Sequence, residues 1–235
     1  MTYRSITTVV ATVVSLAVTS TAMAAIVPIG PPVDLQTLLD TDGSVLAELP
    51  NGDKKEFSGF SYAATGDNPI AANINIIPIV DNANGTLGVR FQGGFTDLPG
   101  DGASDALVTF TVMSFDDFFI NGARLQANTN IIGPPGATGF VGITETFLPG
   151  VNNVLLEVFD LQPGLTRLID SSPLAPTQKL DVQKDILLIS GDANSVATLS
   201  FVDQLFREIL VPEPTSATLL LIAMGMALTS RRSKS

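Results

Sequence analysis

The chain has 235 residues, 23 of them acidic and 12 basic, and neither cysteine nor histidine. A net charge of −11 repels phosphate backbones and argues against nucleic acid as a partner. The missing cysteine excludes disulfides and thiolate chemistry, and the missing histidine removes the usual general base and the commonest zinc ligand, so Ser-His-Asp hydrolases, zinc peptidases and facial-triad iron enzymes are excluded in their usual forms.

Residues 1–24 read as a secretory signal peptide. Arg4 precedes an apolar, Thr-rich run from Ile6 to about Val18, which closes on Ala22-Met23-Ala24 before Ala25. That order of cation, apolar run and small residues places cleavage at Ala22, Ala24 and Ala25. Residues 25–55 begin AIVPIGPPVDL and read as an extended Pro-rich leader outside the core.

Residues 56–210 read as one domain. Candidate strands are Glu56–Ala63, Ala72–Ile79, Thr86–Phe95, Asp105–Ser114, Phe118–Gln126, Thr138–Phe147, Asn153–Phe159, Gln178–Leu188 and Val196–Ile209. Turn chemistry separates them at Asp81-Asn82-Ala83-Asn84-Gly85, Leu98-Pro99-Gly100-Asp101-Gly102, Gly133-Pro134-Pro135-Gly136 and Gln162-Pro163-Gly164. Short strands at this spacing, without intervening amphipathic helices, predict an all-β fold: an antiparallel β-sandwich of jelly-roll or Ig-like type. Within DALVTFTVMSF, the more apolar phase is Val108, Phe110 and Val112, which is therefore expected to face the core. Leu199, Val202, Leu205, Phe206 and Ile209 also fall near helical spacing, but a strand over Ala197–Phe206 is the preferred reading.

Paired carboxylates are the main catalytic apparatus the composition leaves. Asp116-Asp117 lies between two apparent strands, where an acid and base pair of a glycoside hydrolase could stand. Adjacent acids at a turn are far more often loop residues facing water, and no enzyme is expected. Lys54-Lys55 and Lys184-Asp185 read as solvated charges or a surface ion pair. Calcium would want the Asp and Asn loops at Asp40-Thr41-Asp42-Gly43-Ser44, Asp81–Gly85, Asp97–Asp105 and Gly191-Asp192-Ala193-Asn194, yet none has complete calcium-loop spacing. Solvated turns are the plainer reading, and neither cofactor nor metal is expected. With no Trp and two Tyr, an aromatic sugar platform is not apparent; a calcium-dependent carbohydrate-binding or adhesion module stands as the alternative function. Asn84-Gly85-Thr86 matches a glycosylation sequon and reads as an accidental turn match.

Residues 211–235 form the other distinctive end. Ala217–Leu228 and the small residues at its edges make an apolar segment of about fifteen residues, spanning about 22 Å as a helix. That is short of a hydrocarbon core of about 30 Å, so it predicts a short C-terminal transmembrane helix suited to temporary anchoring. Arg231, Arg232 and Lys234 would hold the end on the cytoplasmic side. The prolines of Val211-Pro212-Glu213-Pro214 keep the segment before the helix extended and accessible.

The order of V-P-E-P motif, brief apolar helix and basic end resembles the PEP-CTERM sorting signal. The resemblance implies recognition at Val211, Pro212, Glu213 and Pro214 by exosortase, a membrane transpeptidase-like cysteine protease, after transient anchoring in the inner membrane. The body also looks like a family of planctomycete-type envelope proteins, through FSGFSYAATGD (Phe57–Asp67), GVRFQGGF (Gly88–Phe95) and VQKDILLISG (Val182–Gly191). Together these imply an exported envelope or extracellular-matrix protein with a non-enzymatic structural or interaction role and extracellular polysaccharide as a candidate partner.

Overall fold

Side-chain alternation with period two is clean over Ser104–Ser114, Leu155–Gln162 and Lys179–Ser190 of the computed structural model, which describes residues 26–50, 52–100, 102–148 and 154–211. The strands are β1 (Ile26–Pro28), β2 (Val33–Asp34), β3 (Val45–Glu48), β4 (Lys54–Ala64), β5 (Asn75–Asp81), β6 (Thr86–Asp97), β7 (Ser104–Ser114), β8 (Phe118–Ile132), β9 (Gly139–Leu148), β10 (Leu155–Gln162), β11 (Thr166–Arg167), β12 (Ile169–Thr177), β13 (Lys179–Ser190) and β14 (Val196–Leu210). One short helix, α1 (Leu35–Thr41), and a 3-10 turn at Ala71–Asn73 complete the described elements.

The strands form two antiparallel sheets. The first has the order β1-β5-β6-β14-β8-β12, with β2 also on β5; the second has the order β11-β10-β9-β13-β7-β4-β3. Each sheet turns one apolar face inward, which is the arrangement that buries half of every alternating strand. Val108, Phe110 and Val112 lie on that inner face, as their phase required, whereas Leu107 is exposed. Val196–Leu210 is a strand paired along its length with β6 and β8. Its near-helical spacing comes from register shifts at Leu199/Phe201 and Arg207/Glu208, which reset the alternation twice.

Phe110 stands at the centre of the core. Its ring lies 6.3 Å from Phe57 and 5.9 Å from Phe60 on its own sheet, and 5.4 Å from Phe91 and 6.5 Å from Phe206 on the facing sheet. At Gly88 the strands of the first sheet come too close for any side chain. A Cβ there would stand 1.9 Å from the Gln204 carbonyl oxygen.

The described residues of the stretch 25–55 do not form an extended leader. Ile26–Pro28 pairs with β5, Val45–Glu48 pairs with β4, and Leu35, Leu38, Val45 and Ala47 are buried in the main core. Proline composition misleads here because Pro28 ends an edge strand, a position where a missing N–H costs little. Asp34 starts α1 by accepting from the Thr37 backbone N–H at 2.7 Å and from its hydroxyl at 2.8 Å. The helix stops at Asp42 in left-handed conformation (φ 49°).

β12 also goes beyond the expected strands. IDSSPLAPT carries two prolines, and β12 pairs only with β8, its register shifting between Pro173 and Thr177. An edge strand tolerates those prolines, and a central one would not.

Ala22, Ala24, Ala25, Pro212, Glu213, Pro214, Arg231, Arg232 and Lys234 lie outside the described residues. Among the described residues, no helix is long and apolar enough to cross a membrane. Val211 is described: its N–H donates to the Asp117 carbonyl at 2.9 Å, placing the point where the chain leaves β14 beside the β7–β8 turn.

Candidate functional site

The outer face of the first sheet carries an ordered polar array. Register places Asp203 between Arg90 and Gln126, and Leu205 between Gly88 and Arg124. Arg90 donates to both Asp203 oxygens, from Nε at 2.6 Å and Nη2 at 2.8 Å, while its guanidinium lies 3.9 Å from the centre of the Phe201 ring. Hydrogen bonding to Asp203 pushes the Arg90 pKa up, so this charge is permanent. Arg124 donates to Asp81 Oδ2 and to Gln126 Oε1, each at 2.9 Å. Under these long side chains Ile77, Ile79 and Leu205 form a small apolar cluster with Ile26 against it.

Beside this array lies a cleft of about 390 Å³, walled on one side by the β5–β6 turn (Asp81, Asn84, Thr86) and on the other by the β12 edge (Ser171, Ser172, Pro173). Gly122, Ala123, Arg124, Leu205 and Arg207 complete its lining. Arg207 is exposed and donates from Nε to Asn121 Oδ1 at 3.1 Å and from Nη2 to the Asn121 carbonyl at 3.5 Å. Among the described residues no carboxylate lies within ion-pair distance of it. The cleft thus offers a cation not spent on an internal ion pair, a mixture of amide, hydroxyl and carboxylate groups, and an apolar floor.

Two lysines expected at the surface are buried. Lys55 is 1% exposed and lies 3.0 Å from Glu208 Oε2 and 3.9 Å from Asp53 Oδ1, tying β4 to β14 across the sandwich. Burial lowers the Lys55 pKa against the pull of Glu208 and Asp53; burial and hydrogen bonding to Asp53 push Glu208 up to about 7, against the pull of Lys55. Lys184 is 0% exposed. Its ammonium group donates to Glu145 Oε2, and at 2.8 Å to Gln204 Oε1 of the facing sheet. Burial raises the Glu145 pKa and lowers that of Lys184, each shift opposed by the other's charge. Asp185 and Lys54 point the other way; Lys54 lies 4.8 Å from the Phe115 ring centre. The physical reason is phase: Lys184 shares its face with Val182 and Ile186, and Lys55 shares its face with Phe57. That phase was the available signal, and it applies equally to Glu145 between Ile143 and Phe147.

The candidate calcium loops have other duties. Asp42 caps α1, Asp81 holds Arg124, and Asp97 accepts from Ser104 Oγ at 2.7 Å and the Ser190 N–H at 2.6 Å. Asp192 accepts from the Thr138 backbone N–H at 3.0 Å and the Asn194 N–H at 2.9 Å, bonds that lower its pKa. Among the described residues no three acids group so as to hold a metal ion. Asp116 and Asp117 form the β7–β8 turn, Asp116 with φ 55° and its carbonyl accepting from Gln178 Nε2 at 2.6 Å. Both are exposed, and neither lines the cleft.

No family model and no curated protein matches the chain. Solved structures match at low similarity. TmCBM61, determined with β-1,4-galactotriose, aligns at 8% identity and TM-score 0.25, over 62% of this chain and 88% of that one. A structure of carbohydrate-binding modules from the β-sandwich superfamily aligns at 9% identity and TM-score 0.26, over 71% and 75%. The enzymatically active domain of bacteriophage CBA120 tailspike protein 4 aligns at 14% identity and TM-score 0.26, over 63% of this chain and 19% of that one. At these scores no residue or ligand transfers from them, and the chain is described by its own architecture as an antiparallel β-sandwich.

Proposed function

We propose that the chain is a non-catalytic, polysaccharide-binding β-sandwich, exported to a bacterial cell surface. The observation that carries the binding reading is the cleft between the β5–β6 turn and β12, with Arg207 unspent on any described carboxylate. Sugar hydroxyls both donate and accept, so they suit a wall that alternates Asn84, Ser171, Ser172 and Arg207. The apolar C–H faces of a pyranose suit the exposed Pro173. The guanidinium adds a preference for uronic or otherwise acidic sugars, which it can engage in a charge-assisted manner. Calcium is not required in this reading, because Asp81 is already neutralised by Arg124.

Titration calorimetry of the chain against a panel of neutral and acidic polysaccharides tests this. Arg207→Ala should weaken binding about tenfold, the loss expected of one hydrogen-bonded charge. Its melting temperature should stay near that of the parent, because Arg207 is exposed. Binding should survive chelation. Absence of binding across the panel, or indifference to Arg207→Ala, would rule the cleft out.

Delivery rests on the two termini rather than on the sandwich. Residues 1–24 would direct export, and residues 211–235 would hold the protein at the inner membrane until exosortase acts at Val211, Pro212, Glu213 and Pro214. The mature cell-surface protein should then begin near Ala25 and lack everything beyond about Pro214 by intact-mass measurement. An uncut C-terminus in surface material would refute the sorting role.

A further inference from the structure

Three polar side chains meet in the middle of an apolar core, one from each of three strands. Lys184 of β13 and Glu145 of β9 are direct cross-strand partners in the second sheet, and Gln204 reaches them from β14 of the first. All three are 0% exposed. Apolar residues flank each one on the same face: Val182 and Ile186, Ile143 and Phe147, Val202 and Phe206. Lys184 Nζ lies 2.8 Å from Gln204 Oε1 and also bonds Glu145 Oε2. Two polar atoms of the cluster, Glu145 Oε1 and Gln204 Nε2, are buried without a well-formed hydrogen bond, although the Gln204 side chain lies close enough to Glu145 to draw its pKa down against the effect of burial.

A buried ion pair that leaves two polar atoms unsatisfied is a poor device for stability, because desolvation offsets the attraction and each orphan atom adds a cost. The same arrangement is well suited to acyl transfer: an amine beside a carboxamide, with a carboxyl group touching the amine and water excluded. We propose that Lys184 and Gln204 join through an intramolecular isopeptide bond, formed with Glu145 as the proton carrier. Lys184 Nζ attacks Gln204 Cδ while Glu145, as the carboxylic acid, gives its proton to Nε2 and the Cδ–Nε2 bond breaks. The carboxylate so formed takes a proton from the attacking nitrogen. One Cδ–Nζ bond forms, one ammonia leaves, Glu145 ends as it began, and no oxidant or co-reactant is consumed.

The starting state is provided by the core itself. Burial lowers the Lys184 pKa and raises that of Glu145, which moves the pair toward free amine and carboxylic acid, the forms that can attack and donate. The two atoms without a well-formed hydrogen bond are also accounted for: Nε2 is the leaving group, and Glu145 Oε1 is the second oxygen available to relay its proton. The product would fasten β13 to β14, and so one sheet to the other, in a chain that contains no cysteine for a disulfide.

Intact-mass analysis of the folded full-length protein is the test. Against the mass calculated for its own termini, the protein should be lighter by one ammonia. Trypsin should then fail to cut after Lys184, yielding a Leu180–Arg207 peptide lighter by one ammonia, with fragment ions linking Lys184 to Gln204. Lys184→Met, Gln204→Leu and Glu145→Ala should each restore the full mass, and circular dichroism reports whether each variant folds. Should a variant fail to fold, the parent's own mass still decides. The full calculated mass in folded parent protein overturns the proposal. So does a deficit of one water, which would mean a Lys184–Glu145 amide, or an ammonia deficit mapping to Asn51-Gly52, Asn84-Gly85 or Asn121-Gly122, which would mean succinimide formation.

Discussion

Phe110→Ala should destabilise the protein by about 3–5 kcal/mol, the cost of a large aromatic cavity in a core that cannot collapse around it. Collapse is resisted because the ring touches both sheets, standing between Phe57 and Phe60 on one side and Phe91 and Phe206 on the other. Ladder hydrogen bonds hold the four neighbours' strands in place, so the ring's volume is left largely empty. Phe110→Leu keeps much of that volume and should cost less than half as much. Urea denaturation monitored by circular dichroism measures both. A loss below about 1 kcal/mol for Phe110→Ala would mean that the two sheets are not packed through this ring.

Lys184→Met should be less stable at neutral pH than Lys184→Met/Glu145→Met by about 3 kcal/mol, although the single variant keeps more of the native sequence. Removing the cation alone leaves Glu145 without a counter-charge in the core, which is the costly case; removing both leaves apolar surface of similar volume. Neither variant has the amine, so the comparison reads the burial of Glu145 and is independent of any cross-link.

The single variant should also acquire a pH dependence. Glu145 is raised above its ordinary 4.5 in the folded state, so folding takes up a proton when the pH lies above that value. Its contribution is fully present below about 4.5 and is lost as pH rises toward the folded value. Stability of Lys184→Met should therefore fall from acid to neutral pH, and the double variant should lack this component. Equal stability of the two at neutral pH would show that Glu145 reaches water.

Much of the sandwich is legible from alternation. The runs at Ser104–Ser114 and Lys179–Ser190 announce their inner faces because each residue's neighbours two positions away are on the same side of the sheet. The same rule, applied strictly, points inward for Lys184, Glu145 and Lys55. Charge alone would send them to the surface; in the structure phase prevails and all three are buried. At 26–48 the opposite problem holds: β1, β2 and β3 are two to four residues long, too short for any period to emerge, and prolines at edge positions imitate a linker.

The cleft was beyond the reach of local reasoning for a different reason. Asp81 and Arg124 are 43 positions apart, and Asn121 and Arg207 are 86 apart. Only strand order brings them to one face. Composition and pattern by themselves determined the β-sandwich class, the inner phase of most long strands, and the absence of histidine and cysteine chemistry, because these depend on residue identity and on spacing within a strand. The tertiary structure alone decided which strands are neighbours and hence which charges meet. Glu145, Lys184 and Gln204 come from separate strands, two in one sheet and one in the other, and only the packing of the two sheets face to face sets an amine beside a carboxamide.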